Sequence, residues 1–275
     1  MSIKQYIVLL LKALIWPFSF IVFGYLIIIL FSGSYFFNQY NDLVNNNKEL
    51  STSAIDKLYS QALESPILKN NLANYLEDNG LLIILITVII FMPIFIKIHS
   101  KYKQKTEKLK ITSIIKIIIL GMSVAILLNL IIFNLNKVIE FTNRYNQKEI
   151  VWFTILSIGI IGPILEEYLF RGILYNKLKG FNNQKKSMIL TGIIFALIHL
   201  EFSQIIYAFI LNFLMIFIYE KFKTIKAPII LHISLNLSTL LLLSSLIQLN
   251  ILASILVIFI CCSFILLLWP KINNN

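Results

Sequence analysis

The feature that most restricts this chain is a succession of apolar runs, several of them long enough to cross a bilayer. A helical span needs about 20 residues. The runs fall at about 6–31, 81–96, 111–135, 150–175, 188–200, 204–219, 228–246 and 251–268. Inside lipid each backbone N–H and C=O must be satisfied within the protein, which makes such runs helical. The expected fold is therefore all-α, a polytopic transmembrane helical bundle of about eight spans. Charged residues make up 13% of the chain, against about 25% in soluble domains, so no sizeable soluble domain fits. The fifth and sixth runs are short and separated only by Glu201-Phe202-Ser203, which predicts a tight hairpin.

Charge placement orients the bundle. Lys97, Lys101, Lys103, Lys105, Lys108 and Lys110 crowd the second connection. Lys177, Lys179, Lys185 and Lys186 fill the fourth, and Lys221, Lys223 and Lys226 the sixth. Positive loops stay on the cytoplasmic side. The first connection, about 38–79, leans acidic through Asp42, Glu49, Asp56, Glu64, Glu77 and Asp78. With an even number of spans both termini are expected in the cytoplasm. The net charge of +11 is thus spent on topology. Arginine occurs only at Arg144 and Arg171, and no basic stripe is interleaved with aromatics, so no nucleic-acid partner is expected. Richness in Lys, Ile and Asn fits a bacterial cell membrane.

Three smaller features follow. The first run is too long for a signal-peptide core and lacks a nearby small-x-small cleavage site, so it is expected to be an uncleaved span, with Pro17 as a kink point. In the outer loop Ile55, Leu58, Tyr59, Ala62 and Leu63 recur at helical spacing, and Ser53 with Asp56 fits a capping box, predicting a short amphipathic helix on the outer surface. Cys261 and Cys262 are adjacent in the last run; neighbouring helical positions point about 100° apart, so they are expected to be packing residues.

Ionisable groups at mid-span cost about 2.5–3.5 kcal/mol each, so their presence asks for a reason. The fourth run holds Glu166, Glu167 and Arg171, the fifth His199, and the seventh His232 and Asn236. Glu167 and Arg171 are four apart and share a helix face, which predicts an ion pair. Glu166 is rotated about 100° away and must face another helix or a water pocket. His232 and Asn236 share a face, and Phe195 is one turn from His199. The remaining histidine, His99, sits beside the lysine-rich second connection and is expected to be solvated. Depth fits less well: at ~1.5 Å per residue Glu166 and His199 lie ~15 and ~18 Å from the cytoplasmic loop, but His232 only ~7 Å.

Glu166-Glu167-Tyr168-Leu169-Phe170-Arg171-Gly172 resembles the EExxxR motif of the CPBP family, the CAAX protease and bacteriocin-processing (Abi) membrane proteins. Phe195-Ala196-Leu197-Ile198-His199 is similar to that family's FxxxH motif, and His232-Ile233-Ser234-Leu235-Asn236 to its HxxxN motif. Gly162-Pro163 stands just ahead of the first. The resemblance covers about residues 150–245, with the three motifs in the family's order. It implies a type II CAAX prenyl endopeptidase-like glutamic intramembrane endopeptidase, with membrane lipid around it and a protein or peptide substrate. Glu166 and His199 would activate a water, His232 and Asn236 would stabilise the oxyanion, and Glu167 with Arg171 would hold the architecture. The expected organisation is N-terminal membrane helices over 1–149, a catalytic core over 150–246, and a last helix with a cytoplasmic tail over 247–275.

Other functions remain open at this point. Two His and a Glu match the donor set of catalytic zinc sites, although HExxH is absent; no cofactor is expected, with zinc as the alternative. A non-catalytic immunity or partner-binding membrane protein is a further alternative. A proton-coupled transporter would call for inverted repeats or paired broken helices, which the sequence lacks. Asp42, Asp56 and Asp78 all fall in the outer loop, leaving no intramembrane aspartate pair, and no GxSG nucleophile motif occurs.

Overall fold

A computed structural model describes residues 2–102, 108–139, 154–199, 202–247 and 249–273. Lys103, Lys105, Arg144, Glu201 and the first residues of the fourth apolar run lie outside the described residues. Within the described residues the chain is almost entirely helical, without a strand. Helix α1 is Ile3–Asn46, α2 Thr52–Glu64, α3 Pro66–Asp78, α4 Gly80–His99 and α5 Ile111–Ile139. Helix α6 spans 155–179, α7 is Gln184–Leu197, α8 Phe202–Phe222, α9 Lys226–Ile247 and α10 Ile251–Asn273. The eight apolar runs thus correspond to α1 and α4–α10. Among the described residues five helices are long and apolar enough to cross a membrane by length and composition, namely α1, α4, α5, α8 and α10, while the described parts of α6, α7 and α9 fall short of that measure. The fold is that of a multi-pass membrane protein.

Helix α1 begins at a capping box, in which the Ser2 hydroxyl accepts from the Gln5 N–H while the Gln5 side chain accepts from the Ser2 N–H. It passes Pro17 without a break and continues well beyond the apolar run. The extension is held by tertiary packing. Tyr59 donates to the Phe36 carbonyl at 2.9 Å, Tyr40 donates to Asp56 at 2.9 Å, and the Tyr35 and Tyr75 rings lie 5.1 Å apart. The amphipathic helix α2 is present, with Ile55 turned inward, but its cap differs from expectation. The Ser51 hydroxyl, rather than that of Ser53, accepts from the Ala54 N–H. Three consecutive hydroxyl residues each offer a capping oxygen, and the outermost takes the role. Pro66 then starts α3, where its missing N–H costs nothing.

Two packed regions build the bundle. In one, α1, α4 and α7 gather around α6, with Phe91, Phe95, Leu169, Phe170, Ile173 and Phe195 at the centre. In the other, α5, α8, α9 and α10 enclose Ile117, Leu120, Met215, Leu231 and Leu235. The axes of α5 and α9 approach closely at Gly121, where an added Cβ would lie within 2.9 Å of the Leu231 carbonyl oxygen. Cys261 is buried and Cys262 half-buried, both as free thiols. Helix α6 runs between the two regions and carries the first motif.

Candidate active site

Helix α6 is wound unevenly. Ile155–Ile161 and Tyr168–Tyr175 are π-helical, with Gly162–Glu167 between them and Asn176–Lys179 after them α-helical. Pro163 sits at the start of the α-helical part, the position where proline is best tolerated. Long π stretches are rare and gather at functional sites. A π turn takes more residues than an α turn, so the segment after Glu167 advances less per residue than an α-helix.

The ion pair predicted from spacing is present and sealed. Arg171 Nη1 donates to Glu167 Oε1 at 3.0 Å, and both side chains are 0% exposed. Two side chains from other helices also meet Arg171, while its Nε and Glu167 Oε2 are buried without a hydrogen-bond partner among the described residues. Its Nη2 donates to Asn212 Oδ1 at 3.5 Å, and its guanidinium lies 4.5 Å from the centre of the Phe195 ring. Asn212 in turn donates to the Met188 carbonyl at 3.0 Å, tying α8 to α7 behind the site.

His232, from α9, joins the two carboxylates. Its Nδ1 lies 2.8 Å from Glu167 Oε1 and its Nε2 3.8 Å from Glu166 Oε2. A carboxylate is an acceptor, so Nδ1 carries the proton and donates to Glu167. The helix that Glu166 had to face is therefore α9. Its side chain keeps 27% of its surface exposed, whereas that of Glu167 keeps none. The two neighbouring carboxylates have separated into an enclosed one with two donors and a partly open one beside an imidazole.

His199, at the end of α7, hydrogen-bonds through Nδ1 to the Phe195 carbonyl at 2.9 Å. That acceptor requires Nδ1–H, which leaves Nε2 of the neutral ring as a lone pair. The Phe195 ring meets His199 edge-on at 5.2 Å, in keeping with its spacing, and meets His232 at 6.3 Å. One aromatic ring thus lies against Arg171, His199 and His232 together. Asn236 donates from Nδ2 to the Ile158 carbonyl on α6 at 2.9 Å. Among the described residues no cluster of three or more His, Cys, Asp and Glu side chains is placed to hold a metal. Glu167 and His232 Nδ1 are engaged with one another.

Two residues around this centre escape sequence reasoning. Asn212 is fully buried; a lone amide in an apolar run was the available signal. His99 is a correction: it is 8% exposed, not solvated, and its Nδ1 lies 3.2 Å from the Gly172 carbonyl, with Tyr168 edge-on at 5.6 Å. The α4 terminus folds against α6 there, and Gly172 leaves room for the imidazole.

Over residues 148–238 the chain matches the family model for type II CAAX prenyl endopeptidase Rce1-like proteins. This core is similar to that family. The match takes in every residue of the three motifs. Among curated proteins, YdiL of Bacillus subtilis, whose name carries a provisional membrane-peptidase assignment, is 30% identical over 82 residues, 30% of this chain and 34% of its own length. The UPF0177 protein YxdF of Lactococcus lactis is 33% identical over 81 residues, 29% of this chain and 44% of its own. The membrane-embedded CAAX protease MroQ of Staphylococcus aureus is 37% identical over 90 residues, 30% of this chain and 36% of its own. The chain therefore spans less than half the length of these relatives. No solved structure matches it.

Proposed function

We propose that the Rce1-like core makes this protein an intramembrane endopeptidase, hydrolysing a peptide bond of a membrane-associated protein or peptide. The observation that carries this reading is the asymmetry of the two carboxylates. Glu167 is enclosed and spent on Arg171 and His232, while Glu166 is partly open and 3.8 Å from an imidazole nitrogen. A partly open carboxylate held beside an imidazole is what activation of a water needs.

In this scheme Glu166, with the Nε2 lone pair of His199, takes a proton from water as its oxygen bonds to the scissile carbonyl carbon. Charge that develops on the carbonyl oxygen is met by the Asn236 amide and by Nε2 of His232, which donates there when the imidazole carries a proton on both nitrogens. The C–N bond then breaks, and the proton held by Glu166 passes to the leaving nitrogen. Glu167 and Arg171 act as scaffold: they hold the His232 ring through its Nδ1–H and tie α6 to α7, α8 and α9. In this reading both termini lie in the cytoplasm, from the lysine-rich alternate connections, and cleavage falls in the cytoplasmic half of the membrane.

The test is comparative membrane peptidomics of parent and Glu166→Ala cells, followed by cleavage of the peptide so identified by purified protein. Glu166→Ala and His199→Ala should each lose roughly 10²-fold or more of the rate. Cleavage by either variant at the parental rate refutes the assignment. A cellular phenotype that persists in Glu166→Ala supports a non-catalytic membrane function instead.

A further inference from the structure

Proline in a helix leaves one carbonyl upstream without its donor. In α6 that carbonyl can be named. The winding ahead of Pro163 is π, and the Gly162 N–H donates five residues back to the Ser157 carbonyl. The next donor in that pattern is residue 163, whose partner would be the Ile158 carbonyl, and a proline nitrogen carries no hydrogen. An unpaired carbonyl inside a membrane protein is costly. Its donor comes from another helix, as Asn236 Nδ2 at 2.9 Å.

The approach that allows this is built into α6. Residue 159 is a buried glycine, and an added Cβ would lie 2.7 Å from Leu237 Cδ2. A side chain there would have to displace the Leu237 side chain that packs against α6. The partner also settles the orientation of the amide, because only the NH₂ end of a carboxamide can satisfy a carbonyl. One N–H is thereby committed, and the other is held in the same plane at a fixed angle to it. Helix α9 is thus fastened to α6 at two points one turn apart, His232 to Glu167 and Asn236 to Ile158, with Pro163 between Ile158 and Glu167 in sequence.

We propose that Pro163 is a positioning residue for Asn236: by withholding an N–H from the Ile158 carbonyl it reserves that acceptor for Asn236 and sets the direction of the remaining amide N–H. Any other residue at 163 would supply the hydrogen and release the side chain. The structural part stands on the hydrogen bonds alone, whereas its bearing on turnover rests on the peptidase assignment above.

The experiment is a cycle of four full-length proteins in detergent: parent, Pro163→Ala, Asn236→Ala and the double variant. Thermal midpoints test the bond. Asn236→Ala should lower the midpoint by several degrees, and Pro163→Ala should restore at least half of that loss by giving Ile158 its donor. Its effect in the parent should be smaller than in the Asn236→Ala background. Additive shifts overturn the proposal. Cleavage rates test the consequence: Pro163→Ala should lower kcat about 10-fold with KM within about twofold, and should add nothing to the loss in Asn236→Ala. An unchanged kcat in Pro163→Ala overturns the positioning role. If the parent cleaves nothing, the peptidase assignment fails, and the midpoints still decide this one.

Discussion

Arg171→Met isolates the cost of opening the buried pair. Methionine fills much of the arginine volume without the charge. What is lost is the 3.0 Å bond to Glu167 Oε1, the 3.5 Å contact to Asn212 and the guanidinium over Phe195. What is left is worse than the loss, a carboxylate at 0% exposure with one donor, His232, in place of two. Breaking a buried pair from one side costs about 3–5 kcal/mol, whereas replacing both partners with neutral groups is often close to neutral. At about 2–4 °C per kcal/mol, the single variant should unfold about 6–20 °C below the parent. Glu167→Gln combined with Arg171→Met should recover at least half of that. Thermal unfolding in detergent, followed by loss of folded protein, reads all four corners of the cycle. A single variant within about 3 °C of the parent, or a double variant less stable than either single, would refute the account of Glu167 and Arg171 as an interdependent buried pair.

Three further outcomes are expected. Gly121→Val should destabilise by about 1–3 kcal/mol or more by overpacking, since even a Cβ there meets the Ser234 hydroxyl and the Leu231 backbone; a parental midpoint would contradict the α5–α9 contact. His99→Ala should cost about 1–3 kcal/mol by removing a side-chain partner of the Gly172 carbonyl and vacating a buried site, again read as a midpoint shift. For topology, with Cys261 and Cys262 replaced by serine, a membrane-impermeant maleimide applied to intact cells should label Asp56→Cys and leave Lys185→Cys unlabelled; the reverse pattern would invert the orientation.

Much of this architecture is legible in the sequence because lipid imposes its rules on every residue at once. A run of apolar side chains in a bilayer admits few structures, so all eight apolar helices stand where the runs place them, within a few residues at most ends. Where water and tertiary packing decide instead, local patterns mislead. The α1 extension past the apolar run depends on Tyr40, Tyr59 and Tyr75 meeting residues far away in sequence. The cap of α2 is a choice among Ser51, Thr52 and Ser53 that spacing alone cannot make.

The site divides along the same line. Charged groups in apolar runs call for partners, and that demand alone singles out Glu166, Glu167, Arg171, His199 and His232. A uniform 100° helical wheel correctly separates Glu166 from the ion pair, yet it cannot show that one imidazole from α9 reaches both carboxylates. Neutral groups raise a weaker alarm. Asn212 looks like one polar residue in a tolerant helix, and His99 like one more residue of a basic loop, until their partners on other helices are known. The supporting shell is thus the part least visible in sequence, because its partners include backbone carbonyls: Met188 for Asn212, Gly172 for His99 and Ile158 for Asn236. A carbonyl is present at every position whatever the residue. Only a local irregularity such as Pro163 marks the one whose donor must come from elsewhere.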